Sequence, residues 1–144
     1  MEHCTFCKIV EEQLENDITV YEDDYVIALV SLHQKSENFG HVLLLPKVHI
    51  RDIYELPVAL DIPIMSALRT IARAAKKAFS ADGIHIRQNN EAAADQEIFH
   101  LHFHIIPRFK EDNFENGVYE KLPLNIRKKL AIQLKKMISE EVNF

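Results

Sequence analysis

Apolar positions change period several times along the chain, and each change marks a predicted element. Phe6, Ile9 and Val10 fall at i, i+3 and i+4, which predicts a short helix over about 5–13. Three runs rich in Val, Ile, Leu and Tyr follow: Ile18–Glu22, Tyr25–Ser31 and His41–Pro46. Asp23-Asp24 and the polar stretch 33–40 separate them, so they read as strands, and links this short predict an antiparallel meander. From Pro57 to Phe79 the residues Ile64, Leu68, Ile71, Ala72, Ala75 and Phe79 keep helical spacing, with Arg69, Arg73, Lys76 and Lys77 outside. This main helix is expected to start near Pro63 or a turn or two earlier and to be closed by Gly83. Ile84–Asn89 predicts a strand, Asn90–Asp95 a turn, and about 98–108 a further strand ended by Pro107. Ile126, Leu130, Leu134, Met137 and Ile138 predict a second amphipathic helix over Asn125–Val142. Strands, a helix, then more strands make the expected class α+β with an antiparallel sheet.

Length and composition narrow this picture. The 144 residues suffice for one hydrophobic core and not for two ordinary domains, and no repeat or linker interrupts them, so one domain over 1–144 is expected. A net charge of −5 argues against a protein that holds polymeric nucleic acid through a basic surface, and leaves room for a small nucleotide. There is no N-terminal apolar segment of the signal-peptide kind and no run long enough to span a membrane, so the expected compartment is the cytoplasm.

Within the last predicted strand, residues 100–104 read His-Leu-His-Phe-His. Alternation places His100, His102 and His104 on one face, with Phe99, Leu101, Phe103 and Ile105 on the other. An imidazole row admits three readings: metal ligation, nucleophilic catalysis at phosphorus, or a structural row of satisfied histidines. On a flat strand His100 and His104 are too far apart to share one ion, so at most two of the three can do so. Cys4 and Cys7, the two cysteines of the chain, supply half of a tetrahedral metal site at C-x-x-C spacing, and His41, His49 and His100 are among the residues available to complete it. A thioredoxin-type redox pair lacks its preceding strand here. The polar segment Asn89–Glu97 feeds directly into the histidine run, where its amides and backbone N–H groups could hold phosphate oxygens against His102.

The signature His100-Leu-His-Phe-His-Ile-Ile106 resembles that of the histidine-triad (HIT) family. The likeness extends to Cys4–Val10, Val20–Asp24, Gly40–His49 and Gln88–Arg108, which covers about 1–110 in order and leaves about 111–144 as a C-terminal helical extension. The resemblance implies a five-stranded antiparallel sheet with a main helix and a C-terminal helix, assembled as a homodimer. It implies a hydrolase or nucleotidyl transferase acting on nucleoside phosphoramidates or polyphosphates through a nucleotidyl-histidine intermediate. His102 would be the nucleophile and His104 a contact to the α-phosphate, with Asn89, Gln96, Glu97 and His41 at nucleotide or leaving-group positions. In the zinc-bearing branch Cys4, Cys7, His49 and His100 would hold a structural zinc, closed by its four protein ligands. A zinc-stabilised module that binds nucleotides without turnover is the alternative. Two positions depart from the pattern: Ser31 replaces the Asp that relatives use for ribose hydroxyls, with a loop two residues longer after it, and Asp95 replaces a Gly.

Overall fold

The computed structural model describes residues 3–142. Its first helix, α1, spans Thr5–Glu11, and the strands β1 (Thr19–Glu22), β2 (Val26–Val30), β3 (His33–Lys35) and β4 (Val42–Pro46) follow. Helix α2 (Asp61–Ala78) separates these from β5 (Gly83–Arg87) and β6 (Phe103–Arg108); β7 (Tyr119–Lys121) and α3 (Leu124–Val142) complete the order. Five strands form one antiparallel sheet in the order β1-β2-β4-β6-β5. The first three make the expected meander, and the chain then crosses through α2 to lay β5 at the edge and return as β6. β2 is buried along its whole length, which is why its sequence is a continuous apolar run without alternation.

Helix α2 turns Ile64, Ala67, Leu68, Ile71, Ala74 and Ala75 inward and packs across β2, β4, β5 and β6. Pro63 sits in its first turn, where a missing N–H costs nothing. The region after 110 joins the same core: α3 packs on α2 and β1, and Leu130, Ala131, Leu134 and Ile138 are buried.

Three details differ from the sequence expectation. Gly83 does not close α2; the chain turns at Ser80, which takes a left-handed φ of 51°, and Gly83 opens β5 instead. The strand carrying the histidines begins only at Phe103 and runs through Pro107 to Arg108. Before it, the Leu101 N–H donates to the Ile50 carbonyl at 2.6 Å, so 98–102 wraps against the loop after β4 instead of extending the ladder. Finally β3 and β7, both inside stretches read as loop or tail, pair in a separate two-stranded ribbon.

Candidate functional site

Helix α1 begins at a cysteine. Cys4 precedes it as N-cap, its Sγ accepting the Cys7 N–H at 3.3 Å, and one turn of helix brings the two sulfurs to the same side. His49, just beyond β4, and His100 reach the same spot. Nδ1 of His100 lies 3.4 Å from Cys4 Sγ and 3.5 Å from Cys7 Sγ, and His49 Nδ1 lies 3.2 Å from Cys7 Sγ. All four ligand atoms fall within 4.8 Å of one another. A tetrahedral ion with metal–sulfur bonds of about 2.3 Å and metal–nitrogen bonds of about 2.05 Å needs sulfur–nitrogen edges of about 3.6 Å. The cluster is therefore already close to the required shape.

His100 is fully buried, and its Nε2–H donates to the Pro46 carbonyl at 2.8 Å, which leaves Nδ1 with its lone pair toward the thiols. Burial, and then the neighbouring Cys4 thiol, push the Cys7 thiol up to about 11. A half-buried and a buried thiol with two imidazoles fit a divalent cation.

The carbonyl of the same His100 points toward the second group. His102 sets Nδ1 against it at 2.8 Å; as the N–H donor in that bond, Nδ1 leaves Nε2 as the lone-pair nitrogen of the ring. The His102 and His104 rings stand edge to face with centroids 5.1 Å apart, and Phe6 of α1 packs its edge on His102 at 5.1 Å. His104 Nδ1 is 2.9 Å from Nε2 of buried His41. Burial is the first cause that lowers all three rings: His104 to about 3, His41 well below the ordinary imidazole value, and His102 in the same direction. The row is a set of neutral imidazoles at neutral pH. So the histidines divide, with His100 turned to the cysteines and His102 and His104 turned to each other, although only His104 lies on the strand from which alternation was argued.

The polar loop before the row is held by Gln96. This side chain is buried; its amide donates to the Arg51 and Ile98 carbonyls at 2.8 and 3.1 Å and accepts the Glu91 N–H at 2.7 Å. Asn89 is half-buried at the end of β5 and donates to the Asp95 carbonyl. Asp95 itself is exposed with a φ of 67°, a left-handed conformation that favours Gly and that Asp tolerates. Glu97 is exposed and lines a cleft of about 690 Å³ together with Cys4, His49, Ile98 and Phe99. Ser31 is buried beside His41, and its hydroxyl donates to the His33 carbonyl at 3.0 Å. One neighbour of the row was passed over in the sequence: Arg87 on β5 lies directly opposite His104. In an alternating Gly-Ile-His-Ile-Arg strand it reads as an ordinary solvated end.

Residues 12–111 match the family model described as HIT domain. The chain belongs to the HIT family. This HIT protein is 40% identical over 114 residues to the protein hit of Bacillus subtilis, covering 78% of this chain and 77% of that one. It is 33% identical over 108 residues to the adenosine 5′-monophosphoramidase of Saccharomyces cerevisiae, covering 75% of this chain and 64% of that one. Among solved structures it superposes on a Zn-bound histidine triad family protein from Mycobacterium smegmatis with a TM-score of 0.83 at 28% identity, covering 99% of this chain and 97% of that one. Relatives of this HIT protein thus include a hydrolase, and its fold neighbours include a zinc-bound protein.

Proposed function

We propose that the protein hydrolyses or transfers nucleotidyl groups, cleaving a nucleoside phosphoramidate linkage through a covalent intermediate on His102. The observation that carries this reading is the 2.8 Å bond from His102 Nδ1–H to the His100 carbonyl, which presents Nε2 as an unprotonated nucleophile in a fixed orientation. In the first step Nε2 bonds to phosphorus as the phosphorus–nitrogen bond of the substrate breaks. The leaving nitrogen takes a proton from solvent and departs as an amine. Water then attacks the phosphorus, releases the nucleoside monophosphate and returns His102 to its neutral form. When His41 Nε2–H donates to His104 Nδ1, His104 carries its proton on Nε2, which makes it the donor to a phosphoryl oxygen.

Gln96 serves by positioning the loop, and Asn89 and Glu97 stand at its two ends toward the nucleotide and the leaving group. The buried, inward-bonded hydroxyl of Ser31 offers no carboxylate to ribose, so sugar recognition falls to other groups. Cys4, Cys7, His49 and His100 would hold zinc, whose contribution is structural because four protein ligands close its coordination shell. The activity of the yeast relative, a monophosphoramidase, favours an amine leaving group.

Adenosine 5′-phosphoramidate offered to wild type and His102→Ala tests the reading. Wild type should release AMP and accumulate a nucleotidyl adduct under rapid quench, and His102→Ala should lose at least about 10⁴-fold in kcat. Tight nucleotide binding by wild type with neither turnover nor adduct would instead make the protein a binding module.

A further inference from the structure

A phosphoryl group under attack gathers negative charge on its non-bridging oxygens, and a site that accelerates the attack places fixed positive charge there. The imidazoles at 41 and 104 do not supply it, because burial lowers their proton affinity. Arg87 is a fixed cation beside them. Its Cα is paired with that of His104 across β5 and β6, so the two side chains leave the same face of the sheet. Its charge further lowers the proton affinity of His41 and His104.

The guanidinium is also under-used. One terminal nitrogen donates to the Tyr119 hydroxyl of β7 at 3.3 Å, and Nε is buried with no acceptor. No ion pair involves Arg87 among the described residues. His85, two residues back on the same face, likewise buries an Nδ1 without a partner. The buried Nε without an acceptor is costly, and an anion reaching it alongside the exposed terminal nitrogen would complete it. A guanidinium fork matches two phosphoryl oxygens, and the Tyr119 contact holds it in place while leaving donors free.

We propose that Arg87 is a catalytic residue that binds the non-bridging oxygens of the phosphoryl group transferred to His102, an inference that rests on the function proposed above. The ribbon of β3 and β7 gains a role from this. It places Tyr119 against the guanidinium, and the ring of Tyr119 lies 6.3 Å from that of His41.

The test compares two substrates on wild type, Arg87→Gln and Arg87→Lys. One is adenosine 5′-phosphoramidate; the other is its methylphosphonate analogue, in which a neutral methyl replaces one charged oxygen. On the phosphoramidate, Arg87→Gln should lower kcat/KM by about 10²-fold or more, and Arg87→Lys should recover part of the loss. On the neutral analogue the wild-type advantage over Arg87→Gln should shrink to within a few fold. An unchanged kcat/KM in Arg87→Gln overturns the proposal, as does an equal loss on both substrates, which marks a purely structural role. Should Arg87→Gln fail to fold, the same ratio is read from Arg87→Lys. Absence of turnover in wild type itself overturns the proposed function, and this inference with it.

Discussion

The side chain of Gln34 is 0% exposed and makes four hydrogen bonds next to the imidazole row. Its amide donates to the Ser31 and His41 carbonyls, and its oxygen accepts the Gly40 and His41 N–H groups. It thus fixes both backbone groups of His41, the residue against which His104 is set. Gln34→Ala leaves the buried Gly40 and His41 N–H groups without their acceptor, while the His41 carbonyl keeps the Ser31 N–H, so it should destabilise the fold by about 2–4 kcal/mol in urea titration. His41 and His104 also set an acid limit. Their folded-state proton affinities lie below the unfolded value of 6.5, so the unfolded chain binds more protons once the pH drops under that value. Stability from these groups is complete above about pH 6.5 and falls as the pH descends toward 3. Each contributes a slope of up to about 1.4 kcal/mol per pH unit. Guanidinium titrations between pH 7.5 and 5.5 should therefore show a shallower decline in His104→Gln than in wild type.

At the level of elements, the turn into β4 depends on Gly40. Its φ is 108°, and a Cβ there would lie 2.5 Å from the Phe79 ring at the end of α2. Gly40→Ala combines backbone strain with a clash against a ring packed on the core, and should cost about 2–4 kcal/mol in thermal unfolding. The helices and most strands of the main sheet were legible in the sequence because they bury a periodic or continuous apolar face, and β5, half-buried with Ile86 exposed, was legible from its Ile-x-Ile alternation. The β3–β7 ribbon was not. β7 is exposed at Tyr119, Glu120 and Lys121, and β3 reads His-Gln-Lys, so neither shows apolar alternation. The start of β6 was misplaced for a different reason: residues 98–102 carry strand-like alternation, but His100 is drawn into the cysteine cluster and Leu101 bonds to the loop after β4. The cysteine pair was legible from its spacing as half of a metal site, but His49 and His100 were singled out from the other histidines only by the family resemblance, and Arg87 acquires meaning only from its register opposite His104.

For the molecule as a whole, the Cys/His cluster joins the start of α1 to the loop after β4 and to the segment before β6. A ligand set drawn from residues 96 positions apart should make metal binding and folding one process. Purified protein is expected to carry about one zinc per chain, and the Cys4→Ser, Cys7→Ser double variant none, with elemental analysis as the readout. Stripping the metal should lower the melting temperature by about 10 °C or more. His100 gives that dependence a further reach. Its ring belongs to the Cys/His cluster, while its carbonyl dictates which nitrogen of His102 carries the proton. The Pro46 carbonyl holds the other side of the His100 ring, so the cluster, β4 and the His102 imidazole are joined through that residue. One residue's backbone thus links the four-residue cluster to the orientation of the His102 ring.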